Sequence, residues 1–212
     1  MSTGRADARN RERSRFETLL AESVALHGHL CAGQLIGVRM SMLGLELIGI
    51  REPKGADRKK LYVVVEIDRC ATDAIQSVTG CSLGKRSLRW ADLGIMAATF
   101  VNLETAEAVR ITAREQAREL ANRYRPDILD RYQRQLAAYR EMDDEALFTV
   151  QRVRLAIAET DLPGRPMCRV CCQQCGDWVQ DGREERVDGR VVCRSCAHGA
   201  YYAVIDPNRE SA

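Results

Sequence analysis

The chain holds 212 residues, 45% of them hydrophobic, with 32 lysines and arginines against 30 acids and a formal net charge of +2. That length suits one full domain with a small appendage, and the near-neutral balance, with lysine confined to positions 54, 59, 60 and 85, lacks the positive excess of a nucleic-acid binder. No apolar run approaches a membrane span and the N-terminus has no apolar signal core, so a cytoplasmic protein without a membrane partner is expected. Nine cysteines, an odd number, then point to metal or thiol chemistry rather than a disulfide framework.

Phe16, Leu19, Leu20, Val24 and His27 recur at helical spacing, which predicts an amphipathic helix over about 10–27 that Gly28 ends. Arg5, Arg9, Arg11, Arg13 and Arg15, interrupted by Asp7 and Glu12, read as its frayed, solvated start. A second helix over about 31–48 carries Gly33, Gly37, Ser41 and Gly44 on one ridge. Small residues let a helix lie close to a neighbour, and that contact must offset the cost of helical glycine. Leu61 to Ile67 reads as a buried strand, and 71–79 as a short helix stopped by Gly80. Met96–Val101 and Glu107–Ile111 are the arms of a hairpin.

Charged helices are expected at 113–123, at 127–141 with Pro126 in the first turn, and at 145–158. Tyr124, Tyr132 and Tyr139 would line one packing face, within the chain or across a dimer. Asp161 to Pro166, with two prolines and a glycine, is a linker. It separates a domain at 1–160 from a small one at 167–212.

In that small domain Cys172-Gln-Gln-Cys175-Gly176 is followed by Cys193-Arg-Ser-Cys196. Each Cys-x-x-Cys turn supplies two thiolates, and a pair of pairs closes the tetrahedral site of a structural zinc. Cys168 and Cys171 form a competing pair. The register with Cys172 and Cys175 is preferred because Gly176 permits the backbone conformation that aims amides at a thiolate. His198 is a weaker candidate than the four thiolates. Turn signals at Asp181-Gly182 and Asp188-Gly189 make hairpins of the intervening segment, and 197–205 is expected to hold a short helix, giving a treble-clef-like finger too small to fold without its metal. From Arg165 onward seven arginines meet seven acids, which favours a structural or protein-contact role over phosphate binding.

The larger domain gathers its soft ligands in His27-Gly-His29-Leu-Cys31 and in Cys70-Ala-Thr-Asp73, with Cys81 beyond. Two histidines and a cysteine on one turn are competent for a transition metal. Cys70 starts a helix whose dipole favours its thiolate, and Asp73 follows one turn later, so these two are also candidate catalytic groups. Eleven residues of helix would put Cys81 about 16 Å from Cys70, which makes Cys81 the weakest ligand of the set unless a second subunit contributes it.

The segments His27-Gly-His-Leu-Cys-Ala-Gly33, Gly37-Val-Arg39, Cys70-Ala-Thr-Asp-Ala-Ile-Gln76 and Thr79-Gly-Cys-Ser-Leu-Gly-Lys85, followed by the cysteine finger, resemble the FmdE family, named for a component of molybdenum formylmethanofuran dehydrogenase. The resemblance covers residues 15 to 112 and 168 to 198, leaving the helices of 113–158 without a role. It implies an α+β core domain, often dimeric, with a metal-binding groove built from the histidine and cysteine motifs, and in some members a C-terminal treble-clef zinc finger. Ala32 stands where the family pattern has proline, which loosens the turn but removes no ligand.

The reading that follows is a cytoplasmic metal-binding accessory protein, a homodimer holding a structural zinc and a second transition metal, associated with a molybdenum or tungsten enzyme or with C1 metabolism. Two alternatives stand beside it. One is a metal- or thiol-dependent enzyme, for which no phosphate loop, dinucleotide fingerprint or triad names a reaction. The other is a zinc-finger regulator that binds nucleic acid, against which the neutral finger argues.

Overall fold

In the computed structural model, which describes residues 3–205, the first helix, α1, spans Thr3–His27. It stops at Gly28, whose φ of +96° turns the chain out of the helix. Instead of fraying, α1 runs through the arginine-rich stretch, where Arg11, Arg13 and Arg15 are exposed. The side chains of Arg5 and Arg9 lie outside the described residues, as do Asp206 and Pro207.

Helices α2, Ala32–Leu47, and α3, Cys70–Thr79, meet along the small-residue ridge. A Cβ on Gly37 would stand 2.5 Å from the Ala71 carbonyl oxygen and 2.6 Å from Ala74 Cβ; one on Gly33 would stand 2.8 Å from Cys70 Cβ. Gly44 faces the Phe100 ring and so seats α2 on the sheet. Gly80, at φ +69°, closes α3 as a left-handed cap.

The sheet comprises β1 (Leu61–Val65), β2 (Leu88–Trp90), β3 (Ala97–Asn102), β4 (Ala108–Ala113) and β5 (Phe148–Arg152). Its order is β2-β1-β3-β4-β5, with β2 parallel to β1 and the other pairs antiparallel. The hairpin expected near 96–111 is β3 and β4, paired from Ala97↔Thr112 to Val101↔Ala108. Leu61, Val63, Val65, Phe100, Val109 and Ile111 of the sheet share a core with Leu35, Val38, Leu45, Ile75 and Val78 of the helices. Burying each such side chain stabilises the fold by about 1.5–3 kcal/mol. The result is an α+β domain.

The segment after β4 departs most from expectation. Helices α4 (Ala117–Tyr124), α5 (Arg131–Glu141) and α6 (Asp144–Leu147) are shorter than predicted, and 148–152 is a strand rather than part of a helix. Phe148, Thr149 and Val150 are aromatic or β-branched, and β4 offers them a free edge, which outweighs the helical flanks. Pairing runs from Ala113↔Phe148 to Val109↔Arg152. Helix α5 starts four residues after Asp127 because the Asp130 carboxylate accepts the Gln133 amide at 2.7 Å, capping it. The tyrosines do not share a face: Tyr124 ends α4, Tyr132 opens α5 half-exposed, and Tyr139 is buried. Arg39 of α2 ties down this helical segment, donating to the carbonyls of Tyr139 and Met142 and to Asp144 Oδ1 at 2.7 Å.

A second unit begins at Ile157, four residues before the expected linker, and a single 3-10 turn occupies Glu159–Asp161. It contains two antiparallel hairpins, β6 (Arg169–Cys171) with β7 (Trp178–Gln180) and β8 (Glu185–Val187) with β9 (Arg190–Val192). Asp188 and Gly189 both have positive φ, as a two-residue type I′ turn requires. The terminal helix, α7, is Arg194–His198, earlier than the 197–205 expected. It opens directly after Cys193 and ends at Gly199, leaving Tyr201–Ile205 irregular and exposed.

Candidate metal centre

Three helix ends deliver the ligands of the larger unit. His27 is the last residue of α1; Gly28 reverses the chain; Cys31, extended at φ −146° and ψ 166°, is the N-cap of α2; Cys70 is the first residue of α3. The close approach at Gly33 then brings Cys70 to Cys31. One ligand atom each from His27, Cys31 and Cys70 lies within 4.8 Å of the others, although the two motifs stand some forty positions apart in the sequence.

The chemistry of this group fits a transition metal. His27 Nδ1 is 2.7 Å from Asp73 Oδ2, while His27 Nε2 is buried and has no hydrogen-bond partner among the described residues. A buried polar atom left unpaired costs free energy that a bound cation would recover. A carboxylate on one imidazole nitrogen with the other aimed at metal is the usual arrangement of a histidine ligand. Burial, with Cys70 beside it, pushes the Cys31 thiol up, so the pocket favours neutral thiols until a cation enters.

Other candidates fall elsewhere. His29 is exposed, its ring tilted against that of His27 with centroids 4.6 Å apart, and it is outside the three-residue group. Cys81 is not a ligand of this group within the chain. It lies past the far end of α3 in the hydrophobic core, its thiol 3.9 Å from the Leu61 carbonyl and its amide donating to Thr79 Oγ1. Burial raises its pKa.

The sequence reading missed Tyr132. From the first turn of α5 its hydroxyl donates to the Leu30 carbonyl at 3.2 Å, within the loop that carries Cys31. Burial, then the neighbouring Cys31 and Cys70, push the phenol up, so the helical segment supplies a rim to the group. Tyr132 also lines a cleft of about 550 Å³ between α4 and α5, with Arg118, Arg131 and Gln135. Sequence spacing carries no signal for a contact made across 102 positions.

In the smaller unit Cys172, Cys175, Cys193 and Cys196 offer sulfurs within 4.8 Å of one another. The first pair sits on the turn between β6 and β7, with Gly176 at φ +83°; the second follows β9 into α7. Gln173 joins the halves, its amide donating to the Val191 carbonyl and its Oε1 accepting the Val191 amide at 2.7 Å. The amides of Cys175 and Cys193 point at Cys172 Sγ, at 3.5 and 3.3 Å, and hold that thiol down to about 6. The Cys193 thiol pushes Cys196 up. One thiolate forms easily and the rest resist without a cation, which suits a four-thiolate metal site. Cys168 and Cys171 are exposed and outside the group, Cys171 Sγ donating to the Gly176 carbonyl at 3.4 Å. His198 Nε2 is taken by Glu185 Oε2 at 2.6 Å.

The family model described as FmdE, molybdenum formylmethanofuran dehydrogenase operon, matches residues 26–152. The chain belongs to the FmdE family. The match takes in His27, Cys31, Cys70 and Asp73 and extends through the helical segment that carries Tyr132, beyond the motifs that ended near residue 112. A curated protein of Archaeoglobus fulgidus, described as a probable S-adenosyl-L-methionine-binding protein, is 30% identical over 210 residues, which are 91% of this chain and 56% of that protein. The chain therefore spans about half the length of that relative. A crystal structure of an FmdE-like protein of tungsten formylmethanofuran dehydrogenase type from Syntrophus aciditrophicus covers 89% of this chain and 95% of its own, with a TM-score of 0.59 at 23% identity. That likeness establishes the shared fold. No helix among the described residues is long and apolar enough to cross a membrane.

Proposed function

We propose that this FmdE-family chain is a cytoplasmic metal-binding accessory protein. It holds a structural zinc on Cys172, Cys175, Cys193 and Cys196 and a second, exchangeable transition metal on His27, Cys31 and Cys70. As a homodimer it serves a molybdenum or tungsten enzyme of C1 metabolism. The observation that carries the metal reading is His27 Nε2, buried without a partner while Asp73 fixes the opposite nitrogen and two thiols stand alongside. Three protein ligands leave a fourth tetrahedral position free, the mark of a site that exchanges metal or meets a small molecule, whereas four cysteines close theirs.

Elemental analysis of the purified chain should give two metals per chain, of which mild chelation removes one. His27→Ala with Cys31→Ala should abolish the exchangeable metal and spare the other. A single metal in the wild type, or a double variant that keeps both, would contradict the assignment. Co-purification of a molybdenum or tungsten enzyme with the tagged chain tests the association.

A second reading draws on the archaeal relative's description and on the cleft beside Tyr132, whose volume of about 550 Å³ lies within the range of small-molecule sites. In this reading the chain binds S-adenosylmethionine there. Calorimetric titration of the metal-loaded protein with that compound decides it, and heat at the dilution level would count against it.

A further inference from the structure

We infer that Gln34 and Ser23 are positioning residues of the His27, Cys31 and Cys70 site, holding in register the three helices that carry its ligands. The inference rests on the metal reading above. Gln34 lies in the first turn of α2, three residues after Cys31, with no exposed surface. Its Nε2 donates to the Cys70 carbonyl at 2.6 Å. Its Oε1 accepts the hydroxyl of Ser23, which is also fully buried and sits on α1 one turn before His27. The hydrogen bonds therefore run from α1 through α2 to α3, and each residue in the path lies within one turn of a ligand or is one.

Helix packing alone does not call for this path. Burying an amide and a hydroxyl costs free energy unless every group is paired, and an apolar pair of similar shape would pack these helices at least as well. Nor does the Cys70 carbonyl lack a donor, since the helix supplies one from four residues further on; the Gln34 bond is additional. Its effect is directional. Gly33 allows Cys70 Cβ to approach α2, Gln34 fixes how far and at what angle, and Asp73 makes the matching tie from α3 to His27. Two ties on α3 and one between α1 and α2 leave the ligand triangle little freedom to open.

The test is cobalt(II) titration of the full chain after mild chelation, with the zinc of the four-cysteine site in place, read by the thiolate charge-transfer and d–d bands. Signal lost in His27→Ala reports the site; exchange into the four-cysteine group would appear in both proteins. Gln34→Leu should bind cobalt about 10–100-fold more weakly, the range found when partners behind metal ligands are removed, and with altered d–d bands. Thermal unfolding of the metal-free protein should move little. Gln34→Glu keeps the acceptor for Ser23 but loses the donor to Cys70, so it should weaken binding too. Ser23→Ala should give a smaller loss in the same direction.

Wild-type affinity and spectrum in these variants would overturn the inference while leaving the metal site intact. If Gln34→Leu does not fold, Ser23→Ala and Gln34→Glu decide by the same readings. A wild type with no cobalt signal sensitive to His27→Ala overturns the metal reading, and this inference with it.

Discussion

Asp73 Oδ2 lies 2.7 Å from His27 Nδ1, a contact between the first turn of α3 and the last residue of α1. The carboxylate orients the ring, sets which nitrogen is free, and strengthens that nitrogen as a ligand. Asp73→Ala should therefore weaken the exchangeable metal about 10–100-fold in a chelator competition and leave the four-cysteine metal untouched. Unchanged competition curves would mean that Asp73 only caps α3.

The four-cysteine unit predicts a different response to metal loss. Among the described residues its buried apolar side chains are Cys172 and Val192, too few to fold such a segment unaided, so metal binding and folding should be one event. In Cys193→Ser, zinc should be lost and proteolysis should open the chain between about 165 and 198, while the larger unit keeps its own cooperative melt. Cys168→Ser and Cys171→Ser should retain zinc. Full zinc in Cys193→Ser would mean that the second pair is not Cys193 and Cys196.

Much of this site was legible because its ligands sit at helix ends, where short motifs mark them. His27 before Gly28, Cys31 before a helix and Cys70 after a buried strand each have a local signature, and the glycine ridge of α2 announced the close contact that unites them. The two Cys-x-x-Cys turns were legible for the same reason. What spacing does not encode is partnership across the fold. Gln34 reads as an ordinary polar residue in a helix until Ser23 and Cys70 are placed around it, and Tyr132 until Leu30 is beneath it. Strand β5 was misread because helix-prone residues flank it and the edge it pairs with lies 35 or more positions earlier. Cys81, adjacent to the glycine cap of α3, shared the family motif with Cys70 but was carried to the opposite end of the helix and into the core.

Thiol reactivity separates these classes of cysteine in one experiment. With metals bound, iodoacetamide followed by mass spectrometry should label Cys168 and Cys171, which are exposed, while the ligand cysteines are protected. Cys81 should resist even after chelation, because burial both blocks access and raises its pKa, keeping the unreactive thiol form. It should react only on global unfolding. Labelling of Cys81 in the folded chain at the rate of Cys168 would contradict its place in the core.

Gly37→Ala tests the contact on which the ligand geometry depends. On an exposed helix the change would stabilise by up to about 1 kcal/mol. Here the new Cβ would stand 2.5 Å from a backbone oxygen of α3 and 2.6 Å from Ala74 Cβ, and neither can swing aside as a flexible side chain would. Overpacking of this kind typically costs about 1–3 kcal/mol, so the net effect should be destabilising. At about 2–4 °C per kcal/mol for a domain of this size, the melting temperature of the larger unit should fall by several degrees. Relief of the clash pushes α3 away from α2, carrying Cys70 from Cys31, so affinity for the exchangeable metal should fall with stability. Gly84→Ala is the control, since nothing lies within 4 Å of its added Cβ. Equal melting temperatures for the two variants would show that α2 and α3 can separate without cost, and the tight seating of Cys70 against α2 would then not be what forms the site.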